Sequence, residues 1–153
     1  MPHKIEFQFK RPEDSPGYLL GQLTMLWHRK LKRVLDPMYL THTQFALLCA
    51  LAWLSKESDA VTQVDIANQG NADRMMVSKV LRTLEDKGFI SRQEHPTDTR
   101  AKTIRLTSIG EQILQKAIVS VEDADTEFFA TLEKGLSSFN SNMAGLINAN
   151  KAD

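Results

Sequence analysis

Two short helical patterns separated by a glycine turn, followed at once by two alternating stretches, constrain this chain more than any other feature. "VTQVDIANQG" (61–70) opens with Thr62 and Asp65 in the spacing of a capping box and stops at Gly70. "NADRMMVSKVLRTLEDKGF" (71–89) follows after only a turn, with Asn71 expected as its N-cap and Gly88 as its stop. Its inner stripe is Val77, Val80, Leu81 and Leu84, and Met75, Ser78, Lys79 and Arg82 share the opposite face. "FISRQEH" and "TIRLT" then alternate as strands do, joined by the polar loop "PTDTRAK". Elements this short cannot bury a core alone, so longer helices must pack around them.

Those helices are present on both sides. In "SPGYLLGQLTMLWHRKLKRVL" (15–35), Ser15 is placed as N-cap and Pro16 as the first helical residue, and Asp36-Pro37 ends the run. "LTHTQFALLCALAWLSK" starts with a second capping box, Thr41 and Gln44, and is apolar nearly all round, as a buried central helix would be. The C-terminal part predicts a helix from about 108 to 130, with Ile109, Ile113, Leu114, Ala117, Ile118, Val121, Phe128 and Phe129 on one stripe, and another from about 133 to 149. The fold class expected is mainly α with a small β-hairpin.

The pair of helices with a basic hairpin behind it describes a helix-turn-helix with a wing. The second helix of such a pair fits the DNA major groove. Lys79 and Arg82 can donate to guanine or to phosphate, Ser78 can donate or accept, and Met75 can pack on a thymine methyl. A solvated face on a core helix is the plain alternative. At the hairpin tip Arg100 and Lys102 can enter a minor groove, and Asp98 makes sense there only if it bonds loop amides or aims the arginine. Arg105 is expected to be a strand-face charge, at most a phosphate contact.

The stretch from Val61 to Leu114 resembles the core of MarR-family transcriptional regulators. The resemblance rests on Val77, Leu81, Leu84, Glu85, Lys87, Gly88, Ile90 and Arg92, and on a wing of the form D-x-R-A-K-x-x-x-L-T-x-x-G from Asp98 to Gly110. It implies a homodimer with residues 41–107 as the winged helix-turn-helix and residues 15–35 and 108–150 as the dimerisation region. Two such modules would read a pseudo-palindromic operator on double-stranded DNA, most often as a repressor. By the same resemblance Arg100 matches the wing-tip arginine, Asp98 its orienting partner, and Ser78, Lys79 and Arg82 recognition-helix positions. The methionines of "DRMMVSK" stand where relatives often carry Ser or Thr, which favours apolar contact or packing in that first turn.

Charge is distributed accordingly. The 153 residues carry no net charge, but residues 73–105 hold eight Lys or Arg against five acids, and residues 111–153 three against seven. Only the middle suits a polyanion. The family resemblance also implies a small aromatic or anionic effector, for which Trp27, His28, Tyr39 and Trp53 are candidates; core packing is their plainer role. Cys49 is the single cysteine, so no internal disulfide forms, and its apolar setting argues against redox sensing. His3, His28, His42 and His95 show no metal-ligand spacing, and no cofactor is expected. No nucleophile elbow, phosphate-binding glycine loop or paired carboxylates point to an enzyme. Without an apolar run of membrane length or a signal-peptide pattern, a cytoplasmic location is expected. A winged-helix module docking an acidic protein partner is the alternative function.

Overall fold

The computed structural model describes residues 4–98 and 100–151. Helix α1 (Pro16–Leu35) begins where Ser15 Oγ accepts the Tyr18 N–H at 3.3 Å, with proline at its first position. Only its last turns are buried, through Leu31 and Leu35; Leu19, Leu20, Leu23 and Leu26 stay exposed. Helix α2 (His42–Ser55) opens with the expected capping box, Thr41 and Gln44 exchanging side-chain bonds at 3.1 and 3.2 Å. It is central, with Leu47, Leu48, Ala50 and Leu51 buried, although Trp53 points outward.

Helix α3 (Gln63–Gln69) and helix α4 (Arg74–Asp86) form the short pair. The second capping box forms as expected at Thr62 and Asp65, but the cap of α4 is Asp73, not Asn71. Asp73 has an extended backbone and accepts the Met76 N–H at 2.9 Å. Asn71 instead makes the turn, with φ of 50°, a left-handed conformation that asparagine tolerates better than most residues. Val77, Leu81 and Leu84 face the core and Val80 is half-buried. Gly88, at φ of 79°, ends α4 in the left-handed region expected of a helix stop.

Strands β1 (Ile90–Glu94) and β2 (Lys102–Leu106) pair antiparallel, with Ile90 opposite Leu106, Arg92 opposite Ile104 and Glu94 opposite Lys102. Lys102, expected in the loop, is thus the first residue of β2. The hairpin is anchored from its other side as well: the Ile104 N–H donates to the Val61 carbonyl at 2.8 Å, and Thr62 bridges Thr103. Ile90, Thr103 and Ile104 are buried, so the hairpin's base belongs to the core while its tip projects.

Helix α5 (Ser108–Phe129) starts against that base. Thr107 Oγ1 donates to the Gly88 carbonyl at 2.6 Å and accepts the Gly110 N–H at 3.0 Å, and the Thr107 N–H donates to the Phe89 carbonyl at 3.1 Å. Helix α4, the hairpin and α5 are therefore locked at one junction. Gly110 is required there, because a Cβ would stand 2.0 Å from the Phe89 oxygen. The expected break near residue 130 is a 3₁₀ segment, Ala130–Gly135, that turns at Glu133 (φ of 49°), so the last helix, α6 (Leu136–Ala149), starts three residues later than the periodicity suggests. No residue of α6 is buried, and Leu136, Met143, Leu146 and Ile147 are open.

Candidate functional site

The outward face of α4 is set by the burial of its inner stripe. Met75 is 83 % exposed, Lys79 and Arg82 are exposed one turn further on, and Ser78 is half-buried beside them. The structure brings all four together on one row, free to meet something outside the chain. Thr83 on the next turn is occupied with its own helix, donating to the Lys79 carbonyl at 3.4 Å.

At the hairpin tip Asp98 does what the sequence suggested it must. Its Oδ1 accepts the backbone N–H of Arg100 at 3.0 Å and lies 3.7 Å from Arg100 Nε. The Arg100 side chain is 94 % exposed, so the carboxylate orients a guanidinium that remains open to solvent. Lys102 is exposed at the start of β2. Arg105 reaches back to the Asp59 carbonyl at 3.5 Å, a weak contact on the strand face.

Two basic groups have internal roles that residue type alone did not show. Lys87 Nζ donates to the Tyr39 carbonyl at 2.6 Å and to Gln44 Oε1 at 2.9 Å, pinning the end of α4 to the turn before α2. Arg92 lies mostly buried, 3.6 Å from Glu85, and its Nε and Nη2 have no hydrogen-bond partner among the described residues. Arg92, His95, Asp98, Arg100 and Lys102 share a groove between the hairpin and the start of α3. The signal that could have found Arg92's setting is its place opposite Ile104 on a strand face that is otherwise core.

The four aromatic candidates for a ligand site separate. Trp53, 63 % exposed, walls a cleft of about 600 Å³ between α2 and α5, together with Phe45, Leu114, Ile118 and Val121. Lys56 Nζ stands 4.2 Å from the Trp53 ring centroid. Trp27 and His28 cluster instead with His42, edge-on or tilted, with centroid separations of 4.7 to 5.5 Å. The Trp27 Nε1–H donates to Asp125 Oδ1 at 2.8 Å, and Asp125 also lines the cleft, so this cluster adjoins it. Tyr39 does not: it is 83 % exposed in the turn between α1 and α2, in a left-handed conformation.

Burial lowers the affinity of His42 for a proton below the usual histidine range; His28 adds to that effect and Asp125 opposes it. Cys49, also on the cleft, has its pKa raised to about 11 by burial and then by Glu122, which leaves a neutral, unreactive thiol. Glu111, Glu122 and Asp125 outnumber Lys56 along the cleft, so its charge is acidic while the α4 row and the hairpin tip are basic. Among the described residues no cluster of His, Cys, Asp or Glu could hold a metal ion, and no helix is long and apolar enough to cross a membrane.

Comparison with known proteins agrees with this geometry. The MarR family model matches residues 40–102. An uncharacterised helix-turn-helix transcriptional regulator of Bacillus subtilis, YdcH, is 42 % identical over 127 residues, 83 % of this chain and 86 % of that protein. The fold is similar to that of MepR from S. aureus, solved in complex with DNA, with a TM-score of 0.79 and 25 % identity over 88 % of this chain and 98 % of the other. It also resembles BpsR of Bordetella bronchiseptica, with a TM-score of 0.78 and 21 % identity over 97 % and 99 % of the two chains. The structure of BpsR was described as a mechanism for regulation of its DNA binding by 6-hydroxynicotinic acid.

Proposed function

The chain belongs to the MarR family of transcriptional regulators, DNA-binding winged-helix proteins and not enzymes, and from that premise we propose that it is a cytoplasmic homodimeric repressor of a pseudo-palindromic operator. The observation that carries the reading is the pairing of an open cationic row on α4 with a wing tip whose arginine is aimed by Asp98 and almost fully exposed. In the proposed complex α4 enters the major groove, where Lys79 and Arg82 contact base edges or phosphates, Ser78 hydrogen-bonds and Met75 packs on a methyl. Arg100 enters the flanking minor groove with Lys102 on its phosphates.

The dimer is proposed from what one protomer leaves uncovered. Leu19, Leu20, Leu23 and Leu26 of α1 and Leu136, Met143, Leu146 and Ile147 of α6 are exposed, large apolar side chains that a second copy would cover. In the proposed dimer the acidic helix α5 lies away from DNA and the two α4 helices would lie roughly one helical turn apart.

Release by a small aromatic effector is proposed for the cleft beside Trp53. That ring offers a flat wall, and Lys56 is the cation that would meet an anionic group, against the opposing charge of Glu111, Glu122 and Asp125. A docking site for an acidic protein is less well supported, because the α4 row offers only Met75 as an apolar anchor.

The test is to select duplex fragments from the source genome with the purified protein and to compare variants on the winning site. Arg82→Ala is expected to cost roughly 1–3 kcal/mol and relax base preference at one position. Arg100→Ala is expected to weaken binding chiefly where the flanks are A·T-rich. Failure to enrich any duplex would overturn the reading, and a monomer by sedimentation would favour the protein-docking alternative.

A further inference from the structure

The hairpin tip is held by a side chain that the DNA-binding reading leaves unused. His95 follows β1, and its backbone N–H donates to the Ala101 carbonyl at 3.2 Å, closing the loop between the strands. Its Nδ1 lies 3.2 Å from the Thr97 N–H, 3.1 Å from the Asp98 N–H and 3.3 Å from Thr97 Oγ1. A backbone N–H can only donate, so Nδ1 is the lone-pair nitrogen and the ring proton sits on Nε2. Pro96 has no N–H of its own, which makes Thr97 and Asp98 the first two amides of the tip. Both converge on one imidazole nitrogen.

The next link continues from Asp98. Its amide is fixed by His95, its carbonyl accepts the Ala101 N–H at 3.1 Å, and its carboxylate accepts the Arg100 N–H at 3.0 Å. The exposed guanidinium therefore inherits its direction from the imidazole through one residue. We propose that His95 is a positioning residue for DNA binding: it sets the tip so that Asp98 aims Arg100. The proposal rests on the wing's role in the reading above.

The charged groups around the ring share its groove: Arg92 from β1, Arg100 from the tip and Lys102 from β2 are cations, and Asp98 is the carboxylate. From α3 the groove receives Thr62, Gln63 and Val64, which are uncharged, while the nearby Asp65 accepts the Thr62 N–H at 2.9 Å.

The experiment uses the full chain on a selected duplex, with His95→Ala, His95→Asn, Arg100→Ala and the His95→Ala/Arg100→Ala double variant. Asparagine can accept the same amides two and three residues on. His95→Ala is expected to weaken binding about fivefold, His95→Asn to stay within about twofold of the wild type, and the double variant to bind no more weakly than Arg100→Ala alone. In the free protein, ¹⁵N resonances of the ring should show the Nε2–H form at neutral pH. Wild-type affinity in His95→Ala, full additivity in the double variant, or an Nδ1–H ring would overturn the proposal while leaving the DNA-binding reading standing. No duplex binding by the wild type would overturn both.

Discussion

Gly110→Ala is the most severe single-methyl change the structure identifies. The added Cβ would lie 2.0 Å from the Phe89 oxygen and 2.9 Å from its carbonyl carbon, against ordinary contacts beyond 3.4 Å. No side-chain rotation relieves this, because the obstacle is backbone and the methyl has no freedom. The start of α5 must therefore move by more than 1 Å from the chain entering β1, by the difference of those distances. That movement pulls on the Thr107 N–H bond to Phe89 (3.1 Å) and on the Thr107 hydroxyl bond to Gly88 (2.6 Å). Losing two such bonds costs about 2–3 kcal/mol, with about 1 kcal/mol more if the Thr107 cap is disturbed. Alanine's helix preference returns about 1 kcal/mol. The net loss is roughly 2–3 kcal/mol, a fall in Tm of roughly 5–10 °C for a chain of this size. Gly135→Ala is the control: nothing lies within 4 Å of its Cβ, and its effect should stay within about 1 kcal/mol. Calorimetry or circular-dichroism melting of the two variants checks this, and a Gly110→Ala protein as stable as the wild type would refute the account of the junction.

Asp73→Ala should destabilise by about 1 kcal/mol in urea unfolding, through loss of the cap on Met76, whereas Asn71→Ala should leave that cap intact. Cys49 should resist iodoacetamide at neutral pH and become reactive only as the pH approaches 11, followed by mass spectrometry. His42 has its pKa lowered in the fold, so the unfolded chain takes up the proton first as pH falls. Its contribution is complete above the unfolded value of about 6.5 and is lost as pH drops through the folded one. The pH dependence of Tm below about 6.5 should accordingly be shallower in His42→Phe.

Local chemistry was the legible part of this fold. Thr41 with Gln44 and Thr62 with Asp65 state helix starts in four residues, and Gly88 states a stop, because caps and left-handed turns are decided by neighbours in the chain. Asn71 was misplaced for a related reason: asparagine is suited both to a cap and to a left-handed turn, and only the backbone at Asp73 decides between them. The break near residue 130 is legible, but its left-handed turn sits at Glu133, a residue type that does not signal one, so the last helix is placed three residues early. The contacts that shape the candidate site were illegible because they join distant residues. Trp27 meets Asp125 across 98 positions, Lys87 meets the Tyr39 carbonyl across 48, and Gly110 is constrained by Phe89. The acidic residues of α5 illustrate both sides. Helical geometry does spread them, but it could not say that Glu127 would meet Lys30 at 3.1 Å, Asp125 would hold Trp27 and Glu122 would face the cleft.

The central claim is that two copies of this chain neutralise a set of phosphates while α4 and the wing read one site. Titration of a selected duplex at increasing salt, with the number of chains per duplex taken from sedimentation, tests it most directly. The account predicts two chains per duplex and a linear fall of log affinity with log salt, about a thousandfold or more between roughly 50 and 200 mM if six or more phosphates are met. The slope should decrease by about one for each phosphate contact removed from each protomer. A single chain per duplex, or an affinity that does not change with salt, would contradict it.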